Sequence, residues 1–293
     1  MAGSNPDRGV SVSTALGRRL GGELLRMREA LDLRQAHAAE ALTASVAKVA
    51  KMERGLVPMR DPDVRALCHC YGETDPVVVD RLLELARLDR ERRRAKGWWH
   101  EYFGKSSMAE YVAMEDVATH VRTWQAAYIP GLLQAPEYVR ALVVSGDWWQ
   151  DRPEEIENVV EGRLKRQRRL WGDDPLYLHA VIWEAALRQQ VGGPEVMRAQ
   201  LAHLLEASHL PNVHIQVLPF RVGAHAGLSG AFNVLSFEEP DALDVGFAER
   251  LMSTEWAESK EGSAQYRRAF DDVCRLSLSP HDSRALIETL KGN

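Results

Sequence analysis

The chain has 293 residues, 45% apolar and 27% charged, and no uncharged apolar run approaches the roughly 20 residues that cross a bilayer, so the composition excludes a membrane-spanning helix and reads as an ordinary globular protein. That length exceeds what one hydrophobic core usually fills, which predicts more than one domain. Residues 1–96 hold 18 Lys+Arg against 14 Asp+Glu and residues 97–293 hold 19 against 28, so formal charges of +4 and −9 invite a polyanion to the first stretch and repel it from the second.

Residues 1–12 are small and polar without a period and are expected to form a flexible arm. They show no basic region followed by an apolar stretch, so nothing in them predicts a secretory signal. A helix is expected from Ser13 or Thr14, because Leu16, Leu20, Leu24, Met27 and Leu31 recur at steps of four and three. Helical segments follow at 35–42, 45–54, 61–71 and 76–94, separated by Thr43 and by residues 55–60 and 72–75. No strand pattern interrupts them, so residues 13–95 are expected as an all-α bundle of five helices. The run DRERRRAKG, residues 89–97, closes the bundle as a solvated basic helix end with a phosphate contact as its second use.

Over residues 96–293 the pattern changes. All eight tryptophans lie there, and helices are expected at 107–118, 136–145, 153–171, 194–208, 259–276 and 281–291. Strands are expected at 176–184, 212–220, 231–238 and 243–249, where alternation combines with β-branched and aromatic residues. The fold class is therefore multi-domain: a five-helix bundle, then an α+β domain with a partly antiparallel sheet.

The most informative stretch is QAHAAEALTASVAKVAKMERG, residues 35–55. Gln35 opens one helix, Ala39 is small where a second helix must cross, Thr43 stands in the turn, and Val49 and Met52 pack the second helix back on the first. With LGRRLGGELLRMREALDLRQ before it and DVRALCHCYG after it, the stretch resembles the lambda-repressor and Cro-like helix-turn-helix regulators of the xenobiotic-response-element type, over residues 16 to about 94. Beyond, IPGLLQAPEYVRAL, GRLKRQRRLW, VMRAQLAHLLE, NVHIQVLPF and AHAGLSGAFNVLSF resemble the large uncharacterised carboxyl-terminal domain of many actinomycete regulators of that type. The resemblance implies a transcriptional regulator that binds double-stranded DNA, with a small protein encoded beside it as its partner.

Aligned with that family, Ser45, Val46, Ala47 and Lys51 fall at base-facing positions, and Arg34, Gln35, Lys48, Arg54 and Arg60 fall near the DNA backbone. None of the base-facing four is Arg, Asn or Gln, the side chains that make most bidentate contacts, so low intrinsic specificity and a homodimer reading two half-sites are expected. The family usually has glycine in the turn; Thr43 is β-branched, which leads us to expect a reshaped turn.

FGKSS at 103–107 has Trp99 where a phosphate loop needs glycine, and GLSG at 227–230 is one residue short of a nucleophile elbow. Cys68 and Cys70 flank His69 on one expected helix and point to different faces, so core packing is expected rather than zinc; with Cys274 they are too few for a disulfide framework. A reducing compartment fits, and the cytoplasm is the expected location. In GAHAGLSG, residues 223–230, His225 and Ser229 sit between two strands, and with Glu184 and Glu249 at strand ends they outline a pocket for a small molecule or peptide, against the plainer reading of a flexible connection. Arg163, Lys165, Arg166, Arg168 and Arg169 read as a solvated helix face or a docking surface for an acidic partner. Trp98, Trp99, Trp148 and Trp149 are expected in cores rather than interfaces. No catalytic set, cofactor or metal is expected. The alternative to a signal-sensing regulator is an antitoxin-like interaction module whose DNA binding serves autoregulation.

Overall fold

Leu20 and Leu24 are buried and Leu16 and Met27 half-buried on one side of the first helix, as their spacing requires. Leu31 departs from the stripe and is 51% exposed, because α1 (Ala15–Ala30) has ended and Leu31 is its cap. The computed structural model describes residues 14–94, 97–104, 107–145, 153–238, 244–250 and 253–292; the expected arm, Trp148 and Trp149 lie outside the described residues. The chain divides into two compact units, Met1–His100 and Glu101–Asn293.

In the first unit α1 is followed by α2 (Gln35–Ala41), α3 (Val46–Glu53), α4 (Asp61–Cys70) and α5 (Pro76–Arg94), the five expected helices. Leu20, Leu24, Ala38, Val49, Met52, Val64, Leu67 and Leu82 form their common core, each large side chain contributing about 1.5–3 kcal/mol by leaving water. Cys68 is buried in that core and Cys70 packs against it. Each of the first four helices ends in a Schellman turn. One residue at positive φ closes it (Asp32, Thr43, Gly55 or Gly72), and its N–H and that of the next residue return to carbonyls of the last turn.

The basic helix end is less solvated than its composition suggests. Arg93 bonds Asp89 and the Gly55 carbonyl, Asp89 also accepts from Thr14, and Arg90 bonds the Met59 carbonyl and Asp61, so α5 grips the ends of α1, α3 and α4. Trp99 is buried in α6 (Trp99–Phe103), a short helix that spans the division between the units.

The second unit is built on a six-stranded sheet. In chain order it contains α7 (Ser107–Glu115), β1 (His120–Gln125), α8 (Pro136–Ser145), α9 (Pro153–Gln167), β2 (Tyr177–Trp183), α10 (Glu184–Arg188), α11 (Pro194–Ala207), β3 (Val213–Leu218), β4 (Phe232–Ser236), β5 (Val245–Arg250), β6 (Ser253–Ala257), α12 (Lys260–Leu276) and α13 (Pro280–Gly292). The strand order is β3-β2-β1-β4-β5-β6; β1, β2 and β3 are parallel and the remaining pairs antiparallel, so the sheet is mixed. Parallel neighbours need long crossovers, and α8–α9 and α10–α11 supply them.

Side-chain alternation gives each strand two packing faces. Trp124, Val181, Phe232 and Val234 meet Phe270 and Val273 of α12 on one face, and Phe247 meets Tyr111 of α7 with ring centroids 4.7 Å apart on the other. The free edge of β3 is closed by the α12–α13 connection. There the Leu278 N–H donates to the Val217 carbonyl at 2.9 Å, and the Val217 N–H donates to Ser283 Oγ at 2.9 Å.

Strands β1 and β6 and the short helices α6 and α10 lie where no element was expected, and the helix expected over 153–171 ends at Gln167, with residues 168–170 in a 3₁₀ turn.

Candidate nucleic-acid interface

Helix α3 is short and strongly two-sided. Val49 and Met52 are each 1% exposed and pack inward, while Ser45, Val46, Ala47, Lys51 and Arg54 are exposed. Ser45 caps the helix, its Oγ accepting from the Lys48 N–H at 3.2 Å, so the amino end of α3 is set by a residue that itself faces out.

The turn before α3 is not reshaped. Thr43 takes φ +48, its N–H donates to the Glu40 carbonyl at 3.0 Å, and the Ala44 N–H donates to the Ala39 carbonyl at 2.8 Å. Two satisfied hydrogen bonds hold a β-branched residue in the left-handed region, against a cost of about 1–2 kcal/mol. Ala39, 6% exposed, lies in the common core on the inner side of α2, as its small size suggested.

Beneath the pair lies a polar clamp. Arg28 Nε donates to Glu53 Oε1 at 2.6 Å, another Arg28 nitrogen to Glu53 Oε2 at 3.2 Å, and a third to the Leu33 carbonyl at 2.6 Å. Gln35 Nε2 donates to Glu53 Oε2 at 2.7 Å, so α1, α2 and α3 meet on one carboxylate. Arg28 and Glu53 are 7% and 8% exposed. The hydrogen bond to Glu53 holds the guanidinium above its ordinary pKa against the opposing effect of burial. Neither Arg28 nor Glu53 was singled out in the sequence; the one available signal was a pair of charged residues at helix positions that otherwise turn inward.

Backbones also touch. A side chain at Gly21 would lie 2.4 Å from the Met52 and Glu53 carbonyl oxygens, and one at Gly55, φ +64, would lie 2.3 Å from the Arg18 nitrogen. Both positions therefore require glycine, and they seat the end of α3 directly on α1.

Of the residues aligned with backbone contacts, Arg34 is exposed and Lys48 half-buried, and Arg54 Nε donates to the Ala50 carbonyl on its own helix. Arg60 is exposed and hydrogen-bonded to Asp63 at 3.2 Å. Gln35 is corrected in part: its amide nitrogen is committed inward to Glu53.

The outlined pocket does not assemble. Glu184 and His225 share one end of the sheet: Glu184 accepts from Arg188 and from the Phe220 N–H, and the His225 ring meets Trp124 and Trp183 edge-on at 5.3 and 6.1 Å. Burial holds His225 below the ordinary imidazole value, and both ring nitrogens are buried without a hydrogen-bond partner. Ser229 is exposed on the same loop. Glu249 lies elsewhere. Strands β1 and β4 separate β5 from β2, and alternation puts Glu249 on the Phe247 side of the sheet, where it acts on Arg163 and Arg166, so the two carboxylates cannot pair.

The five-cation face is corrected as well. Arg166 is buried, bonding Glu115 of α7 at 2.8 and 2.9 Å, and Arg163 donates to Gln134, its pKa lowered by burial to about 10. Arg169 bonds the Ala118 and Asp174 carbonyls. Lys165 Nζ lies 4.9 Å over the Tyr102 ring, and Arg168 is exposed. Helix α9 uses its cations to hold its own unit together. Among the described residues no group of three or more His, Cys, Asp and Glu could hold a metal ion, and no helix is long and apolar enough to cross a membrane.

Two crossed helices on a cationic bundle, the second with a bare leading edge, define a helix-turn-helix protein, and the family model of a helix-turn-helix domain matches residues 19–82. A second model, of a domain of unknown function designated DUF5753, matches residues 108–289, more than half of the chain; the protein belongs to this family. No curated protein and no solved structure matches the chain.

Proposed function

We propose that the protein is a sequence-specific transcriptional regulator that lays the start of α3 in the major groove of double-stranded DNA, in the manner of the lambda-repressor and Cro-like proteins. The observation that carries this reading is the division of α3 into a buried side, Val49 and Met52, and an open side, Ser45, Val46, Ala47 and Lys51. Lys51 and Ser45 are the polar readers, and Val46 and Ala47 offer apolar contact to thymine methyl groups. Arg34, Lys48, Arg54 and Arg60 set position on the phosphates.

Four readers without a bidentate side chain discriminate weakly, which supports a homodimer on two half-sites about one helical turn apart. The acidic second unit, with a formal charge of −9 from residue 97 onward, is repelled by phosphate; its part in this reading is to receive a signal, in the cytoplasm, from a ligand or a small protein partner. Selecting duplexes from a random pool with the full chain, then measuring anisotropy against salt, tests the proposal. Binding should fall steeply with salt and be lost in the triple variant Lys48→Glu, Lys51→Glu, Arg54→Glu. Undiminished binding by that variant would overturn it.

A further inference from the structure

The second unit contains a cavity of about 200 Å³ between α10, α11 and α13. Its apolar wall is made by Leu187, Met197 and Leu201, all buried, and by half-buried Leu290. Its polar wall is cationic: Arg188, Arg198 and Lys291 line it together with the Gln190 amide, and no carboxylate does. Arg188 is held by Glu184, which fixes its guanidinium, whereas Arg198 and Lys291 make no ion pair among the described residues. Pro194, the first residue of α11, is also in the wall, and that helix has no side-chain cap at its amino end. Glu195 in the first turn of that helix offsets its positive amino end, so the field at the site comes from the cationic side chains.

Clustered cations repel one another and attract a counter-charge. Here they stand beside an apolar wall, so a bare inorganic anion would satisfy half of the lining and leave the other half wet. A volume of about 200 Å³ is on the scale of a small organic molecule. That is a short acyl chain or one aromatic ring, and far less than a docked helix.

We propose that this cavity binds a small amphipathic carboxylate, its apolar end against Leu187, Met197, Leu201 and Leu290 and its carboxylate between Arg198 and Lys291. Arg198 supplies a planar fork that matches a carboxylate, and Lys291 a mobile point charge. The site is independent of whether α3 reads DNA.

Titration calorimetry of the full chain with sodium butanoate, hexanoate and octanoate tests it, with 1-octanol and octylammonium as neutral and cationic controls of the same length. Octanoate should bind saturably with one site per chain, each methylene from butanoate upward tightening binding about fourfold. Octanol and octylammonium should bind at least about tenfold more weakly than octanoate. The double variant Arg198→Gln, Lys291→Gln should weaken octanoate about tenfold or more and leave octanol unchanged. Leu290→Trp, which fills the cavity from its half-buried wall, should abolish binding with the cations intact. Thermal melts monitor folding, and if the double variant melts early the single variant Arg198→Gln, at an exposed side chain, replaces it with a loss of about threefold. No saturable heat from octanoate, equal affinity for octanoate and octanol, or undiminished octanoate affinity in the charge variants would overturn the proposal.

Discussion

In the helical unit a buried arginine–glutamate pair, Arg28 with Glu53, lies directly under a surface that faces solvent; in the sheet unit the pair Arg166 with Glu115 joins α9 to α7 within a much larger framework. Helix α3 has eight residues and only Val49 and Met52 as large buried apolar anchors, so its orientation depends on the polar clamp. Helices of the sheet unit rest on a six-stranded platform with packing on both faces. The same interaction thus sets the geometry of a binding edge in one unit and adds to an already determined arrangement in the other.

Removing one charge from each pair gives the largest contrast. Glu53→Gln and Glu115→Gln each leave a buried guanidinium without its counter-charge, at a cost of about 3–5 kcal/mol. Urea unfolding, followed by helix signal and by tryptophan emission, should show the loss, since six of the eight tryptophans lie in the second unit, Glu101–Asn293. Only Glu53→Gln should also weaken duplex binding; equal weakening by Glu115→Gln would erase the distinction between the units.

Lys51→Glu sharpens the comparison from the surface. Duplex affinity should fall about ten- to hundredfold, the equivalent of about 1–3 kcal/mol, with no change in the unfolding midpoint of either unit. A midpoint that moved with affinity would mean Lys51 supports the bundle rather than facing a ligand.

Backbone strain divides the units too. Among the described residues the two non-glycine residues at positive φ, Asp32 and Thr43, both lie in the helical unit, whereas the sheet unit uses glycine at such positions. Thr43→Gly should therefore stabilise the helical unit by about 1 kcal/mol, read as a higher urea midpoint, leaving the sheet unit unchanged. A lower midpoint would show that the threonine side chain contributes more than its backbone costs.

The gentlest test is pH. Burial holds His120, His179, His203 and His225 of the sheet unit below the ordinary imidazole value. Below about pH 6.5 the unfolded chain then binds more protons than the folded one, so the sheet unit should lose stability as pH falls from about 7 to about 5. In the helical unit burial raises the Asp63 pKa, but its hydrogen bonds with Arg60 bring it below the ordinary value. Its contribution persists until pH falls below about 4. Urea midpoints across this range should separate the two units, and parallel curves would break the contrast.

Legibility in the sequence follows locality. Helix α3 was readable because its cap, its turn and its two buried residues lie within ten positions, and the five-helix bundle followed from the same period. Strand β1 was not, since His120, Arg122 and Gln125 mask its alternation and its burial comes from partners 57 and 116 positions away, Tyr177 and Ser236 opposite His120. The clamp under α3 joins residues 25 apart, and nothing local announces it. Arg166 was misread for the same reason: its neighbours in the chain are basic, and its true partner, Glu115, is 51 residues away. At Thr43 the intrinsic preference of a β-branched residue points away from the left-handed region, and two hydrogen bonds that depend on the finished turn override it.

The direct seating of α3 on α1 at Gly21 and Gly55 has a mechanical result. With backbone against backbone there is no slack for α3 to tilt or slide, so the reading edge cannot be tuned in place. In the proposed dimer, regulation at this edge would therefore carry each bundle as a block, changing the separation between the two along the duplex rather than the fit of either one.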